Sequence, residues 1–84
     1  MKRLLIVEDT EVVATMVGAI FLDHYAVSFA TDGLQALSLA REGEPPDLIL
    51  LDIQMEGLDG YQVCQALKAE ARTAEIPVIF LTSL

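Results

Sequence analysis

The chain is poor in positive charge. Five Lys and Arg stand against 13 Asp and Glu, a formal charge of −8 over 84 residues. Phosphate-rich partners repel such a surface, so direct nucleic-acid binding and attachment to an anionic membrane are not expected. Cysteine occurs once, at Cys64. No internal disulfide can form, and a reducing, cytoplasmic setting is the simple reading. Long apolar runs are also missing. Met1-Lys2-Arg3 opens like an export signal, but the run Leu4-Leu5-Ile6-Val7 stops at Glu8-Asp9. Four residues are too few for a signal sequence or a membrane span. No linker, low-complexity tract or repeat divides the chain, which reads as one small domain over residues 1–84.

Apolar residues make up 54% of the sequence, and their grouping indicates a fold class. Leu4-Leu5-Ile6-Val7, Leu48-Ile49-Leu50-Leu51 and Val78-Ile79-Phe80-Leu81 are short continuous runs, the pattern of strands buried on both faces of a parallel sheet. Tyr25-Ala26-Val27-Ser28-Phe29-Ala30 alternates and reads as an outer strand. Between these runs lie helical patterns. Thr10 is the expected cap of a first helix whose inward face is read as Val12, Val13, Met16, Val17, Ile20 and Phe21, with Gly18 allowing close packing. Asp32 caps a second helix carrying Leu34, Ala36, Leu37 and Ala40, and Gly43 stops it. Pro45-Pro46 forces an extended entry to the third run. A third helix starts near Asp59, with Val63, Cys64 and Leu67 inward, and Pro77 marks the last strand. Strand and helix alternate three times before a final strand. That order predicts an α/β fold with a parallel sheet, right-handed crossovers and helices on both faces.

Ligands of such sheets sit at the carboxyl ends of the strands. Glu8 and Asp9 follow the first strand, Asp52 the third, and Thr82 and Ser83 the fourth. These groups converge if the first strand lies beside the third and the third beside the fourth. Clustered carboxylates repel unless one is protonated or a cation binds. An oxygen-only donor set selects a hard ion, Mg²⁺ or its substitute Mn²⁺. Magnesium joins a few carboxylates to a phosphate, which leaves Asp52 able to act as a nucleophile toward phosphorus. The Thr82 hydroxyl can donate a hydrogen bond to a phosphoryl oxygen.

Four segments now carry a resemblance: Leu4-Leu5-Ile6-Val7-Glu8-Asp9; Asp32-Gly33-Leu34-Gln35-Ala36-Leu37; Pro46-Asp47-Leu48-Ile49-Leu50-Leu51-Asp52-Ile53-Gln54-Met55 with Gly57-Leu58-Asp59-Gly60; and Ile76-Pro77-Val78-Ile79-Phe80-Leu81-Thr82. In this order the sequence resembles the receiver domain of a two-component response regulator. The resemblance implies a three-layer, flavodoxin-like fold with strand order 2-1-3-4 over this length. It implies Asp52 as phosphoacceptor, Thr82 as switch hydroxyl, and Glu8, Asp9, Asp52 and the backbone carbonyl of Gln54 as ligands of Mg²⁺. The partner it implies is a histidine kinase or a histidine phosphotransfer protein. The domain would then be a signalling module, not a conventional enzyme, that contributes to phosphorylation and dephosphorylation of its own aspartate.

Two departures stand out. Glu56 occupies a position where the family has proline after the methionine. The 84 residues also carry no counterpart of the family's fifth strand, its lysine, or its last two helices, so the expected fold is incomplete. The fourth strand then becomes an uncharged edge. With Val13, Val17 and Ile20 on the first helix, it is the expected surface for homo-oligomerisation. An alternative reading follows: a fragment unable to transfer phosphoryl groups, acting only by self-association or partner binding. An aspartyl-nucleophile phosphatase is disfavoured, because Gln54 stands where its second acid would be. A flavin site is disfavoured by the acidic turn after the first strand. Other residues take ordinary roles: Asp59 as a helix cap, Cys64 as a small core hydrophobe, His24 in a surface loop, and Tyr61 packed beside the third helix.

Overall fold

A computed structural model describes residues 1–82. The order of elements is β1 (Arg3–Val7), α1 (Glu11–Phe21), β2 (Ala26–Ala30), α2 (Gly33–Arg41), β3 (Leu48–Asp52), α3 (Gly60–Lys68) and β4 (Val78–Leu81). The four strands form one sheet in the order β2-β1-β3-β4, and every pair is parallel. All strand carboxyl ends therefore share one edge of the sheet. This is the expected flavodoxin-like architecture, incomplete at the carboxyl-terminal side.

The central strands are buried because they are apolar on both faces. Leu4, Leu5, Ile6 and Val7 of β1 and Ile49, Leu50 and Leu51 of β3 are all nearly inaccessible. Side chains alternate between two cores. Leu5, Val7, Ile49 and Leu51 meet Ala36, Leu37, Ala40, Val63 and Leu67 from α2 and α3. Leu4, Ile6 and Leu50 meet Val17 and Phe21 of α1, with Tyr25, Val27, Leu48 and Leu81 around them.

Helix starts follow local chemistry. The Asp32 carboxylate accepts from the Gln35 amide at 2.8 Å. Asp59 accepts from the Gln62 amide while the Gln62 side chain accepts from the Asp59 amide, both at 2.9 Å, a reciprocal capping box. Thr10 occupies the cap position of α1, but its side chain makes no capping hydrogen bond. Gly43, just past α2, has φ +59, which a glycine adopts without steric cost.

Two helix faces differ from the sequence expectation. Ala14 and Gly18 are the buried residues of α1, with Val17 and Phe21 packed beside them. Val12, Met16 and Ile20 are two-thirds exposed or more, and Val13 is partly so. The small residues face inward because the Phe29 ring of β2 lies against Gly18; a Cβ there would come within 2.7 Å of it. On α2 the buried stripe is Gly33, Ala36, Leu37 and Ala40. Leu34 lies off that stripe and is exposed. No helix among the described residues is long and apolar enough to cross a membrane.

Candidate functional site

Pairing of β1 with β3 and of β3 with β4 places three loop starts side by side. Glu8 follows β1, and its amide donates to the Ala30 carbonyl at 3.0 Å, which carries the sheet one residue further. Asp52 ends β3, paired with Leu81 of β4. Glu8 and Asp52 are 6% and 5% exposed, while Asp9 faces solvent. One carboxylate oxygen from each of Glu8, Asp9 and Asp52 lies within 4.8 Å of the others. Two of the three acids are thus held in a nearly dry position.

Backbone amides orient them. A Glu8 carboxylate oxygen accepts from the Thr10 amide at 2.9 Å, and Asp52 Oδ1 accepts from the Gln54 amide at 3.1 Å. Burial pushes the Glu8 carboxyl up to about 7; the Thr10 amide opposes this, and the neighbouring Asp9 and Asp52 carboxyls add to it. A buried carboxyl beside other carboxyls favours its protonated form, and a divalent cation bound there would favour the ionised one. The donors are all oxygens, so the residues present fit a hard cation such as Mg²⁺ or Mn²⁺.

The acids open into two hollows. One, of about 350 Å³, is bounded by Glu8, Asp9, Asp52 and Gln54 together with Thr10, Val13, Val17, Leu81 and Thr82. Thr82 is thereby brought to the acids, as expected, and so is Gln54. Ser83 lies outside the described residues. The second hollow, of about 500 Å³, runs along the loop after β3 and is bounded by Asp9, Ile53, Gln54, Met55, Glu56, Asp59 and Tyr61. Glu56 therefore stands beside the site as a further acid. Among the described residues, no lysine or arginine borders either hollow.

Sequence reasoning overlooked Gly60. The added Cβ of any other residue there would overlap the Asp52 carbonyl oxygen and come within 2.8 Å of the Ile53 Cα. The glycine following a capping aspartate was visible, but only the packing of α3 on the end of β3 gives it meaning.

A doubly wound parallel sheet with buried acids at the carboxyl ends of its central strands defines a module of the flavodoxin-like class, with its polar site at the strand ends. The chain belongs to the response regulator receiver domain family, whose family model matches residues 4–84. It is 42% identical over 83 residues to the response regulator PleD of Caulobacter vibrioides, covering 98% of this chain and 18% of PleD. This chain thus spans less than a fifth of that relative. The N-terminal domain of a response regulator receiver protein from Methanoculleus marisnigri JR1 superposes with a TM-score of 0.93 at 30% identity, over all of this chain and 68% of that one. The Mn²⁺-bound form of response regulator Rcp1 superposes at 0.86, again at 30% identity, over all of this chain and 67% of that one.

Proposed function

We propose that this receiver domain accepts a phosphoryl group on Asp52 from a histidine kinase or a histidine phosphotransfer protein, with Mg²⁺ held by Glu8, Asp9, Asp52 and the Gln54 carbonyl. The observation that carries the reading is a nearly buried Asp52 within 4.8 Å of two further carboxylates, opening into a hollow that Thr82 also borders. The Asp52 carboxylate attacks phosphorus, the bond to the donor imidazole nitrogen breaks, and that nitrogen leaves with the electron pair and takes a proton. The bound cation supplies charge neutralisation at the phosphoryl oxygens. The Thr82 hydroxyl donates to one of those oxygens. Hydrolysis of the acyl phosphate regenerates Asp52, so the domain takes part in its own resetting without being a conventional enzyme. Such a module works in the cytoplasm, beside its kinase.

A second reading rests on the absence of lysine and arginine around the acid hollows. On this reading the 84 residues by themselves act only as a partner-binding or self-associating module. Treatment with acetyl phosphate and Mg²⁺, read by intact mass, separates the two. A single phosphoryl adduct that vanishes in Asp52→Asn supports the first. A folded, Mg²⁺-binding chain that never gains the adduct, even from a kinase, leaves the second.

A further inference from the structure

Three acids border the hollow along the loop after β3: Asp9, Glu56 and Asp59. Two of them are engaged. Asp59 is spent on the capping box of α3, and Asp9 shares a hydrogen bond with Glu8. Glu56 is exposed and makes no hydrogen bond or ion pair with any described residue. Its place is nevertheless fixed. Met55 before it and Leu58 after it pack against the core formed with α2 and α3. Gly57 turns the chain between them with φ +77, and Asp59 is locked in its cap. The Glu56 carboxylate can swing, but it cannot leave the rim. That rim shares Asp9 and Gln54 with the hollow that Asp52 borders. An uncompensated negative charge is thus held beside the approach to Asp52.

We propose that Glu56 is a specificity-determining residue that selects phosphodonors by their charge. The inference rests on Asp52 as phosphoacceptor and deepens that reading. An incoming phosphoryl group is itself anionic. The Coulomb energy of its approach to a fixed carboxylate grows in proportion to the donor's net charge. A small dianionic acyl phosphate meets the full penalty. A phosphoryl group on a histidine set in a basic protein surface does not, because the surrounding cations face the same carboxylate. Glu56 is also one of the two places where the sequence departs from the family pattern, so the selection belongs to this chain and not to receiver domains at large.

The test follows adduct formation by intact mass, at a Mg²⁺ concentration saturating for each variant. The donors are acetyl phosphate, a dianion, and phosphoramidate, a monoanion. With the first, an Asp52 oxygen bonds to phosphorus and acetate leaves with the electron pair. With the second, the phosphorus–nitrogen bond breaks and ammonia leaves with the pair, already carrying its hydrogens. Glu56→Gln is compared with wild type and with Glu75→Gln, which removes an equal charge from the exposed turn before β4, at the opposite edge of the sheet. The expected result is a rate constant for acetyl phosphate about threefold higher in Glu56→Gln, and for phosphoramidate higher by only about the square root of that factor. Both gains should vanish at about 1 M salt, where screening acts over about 3 Å, and Glu75→Gln should match wild type. Equal gains with both donors overturn the inference, since a change in site geometry ignores donor charge. So do wild-type rates or slower charging in Glu56→Gln, a gain that survives high salt, or the same gain in Glu75→Gln. Each of those results leaves adduct formation on Asp52 intact. Absence of any adduct in both wild type and Glu56→Gln fails earlier, at Asp52 itself, and takes the inference with it.

Discussion

Glu8 ties the site to pH. Its folded pKa of about 7 lies above the ordinary value of 4.5. Between those values the folded state binds more protons than the unfolded one, so stability falls as pH rises through this window. The fall is on the order of 3 kcal/mol. Denaturant titrations between pH 5 and 7.5 should show it, and Glu8→Gln should flatten the slope. A cation at the site needs the Glu8 proton gone, so Mg²⁺ binding near pH 6 should release protons, measurable as calorimetric heats that vary with buffer. Asp52 gives a second outcome. At pH 8 the metal-free Asp52→Asn protein should be more stable than wild type by about 1–2 kcal/mol, because one of three crowded charges is gone. The asparagine can still accept from the Gln54 amide, so a loss of stability in thermal melts would mark Asp52 as chiefly structural. Glu8, Asp9, Asp52 and Thr82 were legible in the sequence because strand ends in a parallel sheet fix where polar residues collect. The unequal burial of Glu8 and Asp9 was not, since it depends on how each side chain turns from the strand.

Helix starts separate propensity from actual contact. Asp32 and Asp59 were legible as caps, and both make the capping bond. Thr10 was read as a cap on equal grounds and makes none. Asp59→Ala should therefore cost about 1 kcal/mol, whereas Thr10→Ala should change stability by no more than a few tenths. Urea unfolding of the two variants checks this directly, and equal losses would count against the capping box. Helix α1 was misread for a compositional reason. Glu11 and Thr15 are its only polar side chains, so the pattern has no clear polar side to locate the buried face. Close approach of Phe29 decides it instead, by requiring Gly18 beneath the ring. On α2, mixed composition left only Leu34 misplaced.

For the whole molecule, topology was legible because runs buried on both faces alternate with helical patterns, and little else satisfies that order. Surfaces were less legible. Among the described residues strand β4 pairs with β3 alone, carries no charge, and leaves Ile79 half exposed. The amide and carbonyl of alternate residues in such a strand point away from its partner. Together with Val12, Met16 and Ile20 on α1, this is an open apolar surface of the kind that draws copies together. For a polypeptide of these 84 residues, two-fold self-association is the expected outcome, seen by light scattering coupled to size exclusion at about 100 μM, a concentration at which exposed edges already associate. Ile79→Lys should return it to monomer, and an unchanged assembly in that variant would exclude the β4 edge. The common direction of the strands has one more consequence. Glu8, Asp9, Glu11, Asp32, Asp52, Glu56 and Asp59 all fall at the carboxyl edge, whereas every lysine and arginine, from Lys2 and Arg3 to Arg41, Lys68 and Arg72, falls at the other. Of the net charge of −8, seven units therefore belong to one end. The domain behaves as an electrical compass needle: an approaching cation or basic partner surface turns it acid-end first before any contact forms, and added salt weakens that turning.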